Sequence, residues 1–202
     1  MAAVATEDSN EVGLIRAQLA TERRHATQVA AACVAALEDS ATVLETLELT
    51  SFCLSCHSHE AFIKPEYEAS SHFRNEVGVR AACADCHLPH DNWFELMFTK
   101  VVVSKDVIGE AMGKISTQEK YAAHRGAMAQ TVWRQLLANG SKFCKSCHSF
   151  DAMDFSAQGG APARQHKKAI QEGMSCVECH RGIVHKLPDN ADALWAEVAP
   201  KP

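Results

Sequence analysis

Eight of the nine cysteines in this 202-residue chain sit in four copies of one pentapeptide, Cys-x-x-Cys-His. The copies are Cys53–His57, Cys83–His87, Cys144–His148 and Cys176–His180. Two thiols at this spacing can add to the two vinyl groups of one haem, and the adjacent histidine then stands where its imidazole can bind the iron. The predicted cofactor is four haem c per chain, held covalently by Cys53, Cys56, Cys83, Cys86, Cys144, Cys147, Cys176 and Cys179. His57, His87, His148 and His180 are then axial ligands of the iron. Paired CxxC units also build four-thiolate zinc sites. Zinc gives no reason for a histidine after every second cysteine, and neither does a disulfide framework.

Four six-coordinate irons need a second axial group each. Seven histidines lie outside the motifs: His25, His59, His72, His90, His124, His166 and His185. His72 and His166 occupy matched places, 15 residues after His57 and 18 after His148. They precede the next motif by 11 and 10 residues. His185 follows the last motif histidine by five residues and His59 follows the first by two. These four are the candidate distal ligands. His90 matches His185 but lies only three residues past its motif, and His25 reads as a solvated residue far upstream.

The motifs group into two units, 53–90 and 144–185. Each has a CxxCH, a lone histidine, a glycine (Gly78 or Gly173), a second CxxCH and a closing histidine. Ser-Cys-His-Ser recurs letter for letter at 55–58 and 146–149. This is the pattern of an internally duplicated di-haem module. The expected fold is all-α and haem-rich, two such modules plus a long N-terminal helix.

The elements that must position these residues read as helices throughout. From Leu14 to Leu49 there is neither Gly nor Pro, and Ile15, Leu19, Ala26, Val29, Cys33, Leu37, Leu44 and Leu47 recur at helical spacing. One amphipathic helix, or two in series, is expected there, buried on its own domain or in a homo-oligomer. His72 is expected on a short helix, Glu66–Asn75, started by Pro65 and stopped at Gly78; His166 on another, Ala163–Glu172, stopped at Gly173. Between the units, Trp93–Met112 reads as one helix. A second follows Ser116-Thr117-Gln118-Glu119, which resembles a capping box, and ends at Asn139-Gly140. The expected domains are 1–49, a cytochrome domain 50–190, and a C-terminal tail 191–202 in which Trp195 could serve as an anchor.

Composition limits the partners. Only 6% of residues are aromatic, so four porphyrins would form a main part of the core. A formal charge of −5, made more negative by haem propionates, argues against nucleic acid. Covalent haem attachment in bacteria takes place outside the cytoplasm, so a periplasmic location is expected. The longest apolar run, Val29–Leu37, has nine residues; a membrane span needs about 20. Arg23-Arg24 before it invites a twin-arginine or lipoprotein leader with Cys33 lipidated, but Ala30-Ala31-Ala32-Cys33 is a poor lipobox, and Cys33 reads as a small apolar residue on a helix face.

Three strings are specific beyond CxxCH: Gly78-Val79-Arg80-Ala81-Ala82-Cys83-Ala84-Asp85-Cys86-His87-Leu88-Pro89-His90, Cys147-His148-Ser149-Phe150-Asp151-Ala152-Met153-Asp154-Phe155, and Cys179-His180-Arg181-Gly182-Ile183-Val184-His185-Lys186-Leu187-Pro188. Through them the chain resembles the NapC/NirT/NrfH family of tetrahaem cytochromes over about residues 50–190. The resemblance implies a periplasmic electron carrier that takes electrons from membrane quinol and passes them to a terminal reductase. Family members usually carry an N-terminal transmembrane helix; here Leu14–Leu49 stands in its place and is too polar to span a bilayer. Some relatives bind haem 1 through a Met two residues after the first motif histidine; His59 occupies that place here. The family's quinol site uses a Lys and an Asp after the second motif, which Lys100 and Asp106 match approximately.

The first functional expectation is thus an electron relay, soluble or membrane-associated through a quinol-oxidising partner subunit. The alternative is an enzyme, a quinol dehydrogenase working at Lys100 and Asp106 on a chain with no transmembrane helix. Reduction of a small nitrogen or sulfur oxyanion would need an open iron, and the chain has nearly enough histidines to close every one.

Overall fold

The computed structural model describes residues 12–13, 15–21, 23–24, 27–28, 30–31, 42–43 and 45–200. It contains two compact units, Met1–Leu47 and Glu48–Pro202. The first is helical at its described positions up to Thr46, with Val12, Ile15 and Leu19 exposed. Ala26, Val29, Cys33, Leu37, Leu44 and His25, all part of the sequence reading, lie outside the described residues. No described helix is long and apolar enough to cross a membrane.

The second unit is built from helices and tight turns, with no strand among the described residues. Its helices are α1 (Thr50–Cys53), α2 (Lys64–Glu68), α3 (Cys83–His87), α4 (Trp93–Ala111), α5 (Gln118–Ala138), α6 (Lys142–Cys147), α7 (Gly160–Glu172) and α8 (Ala191–Ala196). The second and third motifs are therefore helical, the first begins on the last residue of α1, and the fourth opens on a 3₁₀ turn, Cys176–Glu178.

The long helices begin and end where their local chemistry dictates. Asn92 caps α4 by accepting from the amides of Phe94 and Glu95 at 3.0 and 3.2 Å. α5 starts one residue later than a Ser116 capping box would place it. Thr117 is the cap, accepting from the Lys120 amide at 3.3 Å, while the Ser116 hydroxyl turns back to the Gly113 carbonyl. α7 ends at Gly173, whose φ of +66° is the left-handed conformation a helix stop favours.

The helix expected over Glu66–Asn75 stops at Glu68. Its continuation has side chains that compete for the backbone: the Ser70 hydroxyl donates to the Tyr67 carbonyl at 2.7 Å, and the Asn75 amide donates to the carbonyls of Ser71 and Val79. His72 consequently sits in a turn, and its carbonyl accepts from the Ala81 amide at 3.0 Å.

Among the described residues the buried hydrophobic side chains are Tyr67, Ala84, Tyr121, Trp133 and Val177. That is a small protein-only core for a unit of this size, in keeping with the low aromatic content. The segment read as a tail packs as α8: Trp195 meets Trp133 edge-on at 5.7 Å, and the Gln130 amide donates to the Leu194 carbonyl at 3.0 Å. Gly126 lets this happen, because a Cβ there would stand 2.9 Å from Leu194.

One carboxylate ties distant parts of this unit together. Glu66 on α2 accepts two hydrogen bonds from Arg125 on α5 and one from the Lys186 amide at 3.0 Å. Arg125 also donates to the Lys186 carbonyl at 2.6 Å. The Glu66 side chain is only 9% exposed and that of Arg125 16%, so removing one partner leaves the other poorly solvated. Glu66→Ala is expected to destabilise the protein by about 3 kcal/mol in urea unfolding, with Glu66→Ala/Arg125→Ala losing less than the sum of the two single changes.

Candidate haem-iron sites

Histidines from separate parts of the chain meet in pairs. His72 and His148 have ring centres 6.1 Å apart, His87 and His185 6.3 Å, and His166 and His180 6.0 Å. Two imidazoles on opposite sides of one metal, each bonded at roughly 2 Å, have ring centres roughly 6 Å apart once half a ring width is added on each side. The three pairs therefore have the separation of axial ligands sharing one iron. Among the described residues no three of His, Cys, Asp and Glu converge as a protein-only metal cage would require.

The protonation chemistry fits this donor set. Burial is the leading reason that the imidazoles of His72, His185 and His59 titrate below the usual histidine range. In His87 burial, with His185 and His59 nearby, pushes the value down to about 4. Neutral imidazole keeps a lone pair for a metal. The Nδ1 atoms of His59, His72 and His185 are buried without a hydrogen-bond partner. His166 is oriented by Gln158, whose Oε1 lies 2.5 Å from Nδ1 and leaves Nε2 free for iron. For His185 the nearby carboxylate is Glu66, 3.9 Å from Nδ1.

The cysteines show how the motifs follow one another. The thiols of Cys53 and Cys83 lie close enough to act on each other, which holds Cys83 down to about 6 and pushes Cys53 up. Cys144 and Cys176 are related in the same way, Cys176 being held down to about 6. These titrations belong to free thiols; in thioethers only the adjacency would persist. Cys86 lies near Cys147, and α3 packs on α6. The four motifs are thus neighbours in chain order, first to second to third to fourth.

A hydroxyl three residues before the first cysteine of each pair joins the motifs. Thr50 accepts from the Cys83 amide at 3.3 Å, and Ser141 accepts from the Val177 amide at 3.3 Å. Ser141 and Ser175 are buried with their hydroxyl oxygens 2.5 Å apart, and Ser175 donates to the Leu136 carbonyl at 3.0 Å. Sequence reasoning passed over both anchors, although Thr50-Ser51-Phe52-Cys53 and Ser141-Lys142-Phe143-Cys144 share the signal of a hydroxyl, a spacer and Phe-Cys. It also missed Glu66, Gln158 and Glu110, which no local pattern marks.

The remaining candidates are placed as follows. His90 pairs with no ring among the described residues; its Nε2 lies 3.0 Å from the Ala84 carbonyl and its Nδ1 3.9 Å from Glu48. His124 Nδ1 lies 2.9 Å from the Lys120 carbonyl. Lys100 forms an ion pair with Glu48 at 3.1 Å. Asp106, six residues on, lies about 240° round α4 from Lys100, so the two are not brought together. Asp106 instead stands close enough to His59 to favour its protonated form. His57 has Phe62 as its ring neighbour at 6.3 Å.

The profile of the NapC/NirT cytochrome c family, N-terminal region, matches residues 21–190. The chain is 46% identical over 156 residues to the cytochrome c-type protein TorY of Haemophilus influenzae, covering 77% of this chain and 42% of that protein. It is 43% identical over 148 residues to the cytochrome c-type protein NapC of Escherichia coli, 73% of this chain and 74% of that one. It is 41% identical over 149 residues to an Allochromatium vinosum protein whose name describes a tetraheme cytochrome-c type, 74% of this chain and 80% of that one. No solved structure gives a significant match.

The imidazole pairs make a direct test of geometry. His72→Ala and His148→Ala are each expected to turn the same single haem high-spin, and His87→Ala and His185→Ala a different one, read by electron paramagnetic resonance and near-infrared absorption. A His72→Ala spectrum matching that of His87→Ala would instead place both ligands of that haem within the first sequence unit.

Proposed function

Because the chain belongs to the NapC/NirT family of c-type cytochromes, we propose that it is a periplasmic tetrahaem electron-transfer protein. It takes electrons from the quinol pool or a membrane partner and delivers them to a terminal reductase. The observation that carries this reading is the serial order of the four motifs, each beside the next, with imidazole pairs at ligand spacing along the series. Bound haem c would supply reversible one-electron chemistry at each motif.

The chain's own residues would do the rest. Cys53 and Cys56, Cys83 and Cys86, Cys144 and Cys147, and Cys176 and Cys179 would each fix one group covalently. His72 and His148 would flank the third, His185 and His87 the second, and His166 and His180 the fourth. His57 and His59 are the candidates at the first. With an imidazole on each side, these three sites would keep small oxyanions off a bound metal and would favour electron transfer over substrate chemistry. Gln158 would hold the His166 imidazole in orientation. The hydroxyl anchors at Thr50 and Ser141, equivalent in the two halves, support the reading of two duplicated di-haem modules.

Direct quinol oxidation by this chain is the less favoured reading. It calls for a lysine and a carboxylate acting together, whereas Lys100 is engaged by Glu48 and stands round the helix from Asp106. Purified protein should contain four haems per chain by pyridine haemochrome assay. It should be reduced by quinol only when membranes containing a quinol-oxidising partner are added. Fast reduction by a quinol analogue alone, lost in Lys100→Ala, would favour the dehydrogenase.

A further inference from the structure

The first motif is distinguished by what is fastened to it. Ser58, the residue after its histidine, is fully buried. Its amide donates to Glu110 Oε1 at 3.1 Å, and its hydroxyl lies 2.9 and 2.7 Å from the two carboxylate oxygens. The same hydroxyl is 3.1 Å from the Ile115 carbonyl, so this turn is bound both to the C-terminal end of α4 and to the segment that follows it. Burial alone would raise the Glu110 carboxyl. The Ser58 hydrogen bonds and the neighbouring His59 and His57 outweigh it and hold the group below the usual carboxylate range. Asp106, one helical turn earlier on the same face of α4, also faces His59.

We propose that Glu110 is a positioning residue and fixed negative charge for the first haem: through Ser58 it holds the His57–His59 turn in place, and its field lowers that haem's reduction potential. This rests on the tetrahaem reading above. Reduction adds one electron from the upstream donor to ferric iron and gives ferrous iron, with no bond made or broken at Glu110. A carboxylate fixed nearby stabilises the ferric form, which carries one more positive charge. Because the carboxylate is held by donors and partly withdrawn from water, salt screens it less than an exposed charge. A low potential at the end of the series suits that haem to pass electrons onward to the second rather than to retain them.

The test is redox titration of the haem-loaded protein. A Cys53→Ala/Cys56→Ala variant identifies which potential belongs to the first haem; if it still carries the wild-type haem content, the tetrahaem reading itself fails. Glu110→Gln keeps the shape and one acceptor but removes the charge. It is expected to shift the first haem's reduction equilibrium at least tenfold toward the ferrous form, which is 59 mV for a one-electron couple, with the other three potentials unchanged. Ser58→Ala, which frees the carboxylate into water, should move the same potential in the same direction by less. If Glu110→Gln fails to assemble, Ser58→Ala carries the test. A first-haem potential that stays put in the assembled variants, or four potentials that move equally, would overturn the proposal.

Discussion

Everything in the larger unit is arranged around a spacing: two imidazoles with ring centres about 6 Å apart, the separation set by one metal between them. Three pairs meet it, and two of these join the halves of the chain. His72 crosses from the first half to His148, and His185 crosses back to His87. An iron between such partners would act as a cross-link as well as a redox centre. Since the described residues bury few large apolar side chains, covalently held prosthetic groups and their ligands would supply much of the cohesion that a conventional core provides.

Ring positions alone do not hold a ligand set, and a second layer of polar groups does that work. Gln158 orients His166, and Glu66 stands beside His185 while binding Arg125 and the Lys186 backbone. Thr50 and Ser141 connect each first motif to the second of its pair. At the first motif the corresponding contact runs from Ser58 to the end of α4. The polar network thus follows the series of motifs from one end to the other, and at the first motif it includes the half-buried carboxylate of Glu110.

The sequence was most legible where chemistry and position are both local. CxxCH points to a cofactor class and to candidate attachment residues within five positions, and the ends of the helices Trp93–Ala111 and Gly160–Glu172 coincide with Asn92 and Gly173. It was less legible where weak local preferences compete. The helix at Lys64–Glu68 stops short because Ser70 and Asn75 satisfy backbone groups that a longer helix would use. The start of α5 slipped by one residue because Ser116 and Thr117 can both cap and only one hydroxyl is aimed correctly. The apparent equivalence of His72 and His166 was a fact about spacing; in the fold one faces a motif of the other half and the other a motif of its own.

By itself the sequence determined the helical character and pointed to the cofactor class, the candidate attachment cysteines and the histidines that could serve a metal. These follow from residue type and short spacing, which act within a few residues and do not depend on the rest of the chain. Only the tertiary structure decided which histidine faces which, that Lys100 meets Glu48 rather than Asp106, and that Glu110 reaches back 52 residues to Ser58. Such contacts are set by how helices pack and by which buried polar group finds a partner. No local pattern encodes that choice, because its energy depends on atoms far apart in the chain.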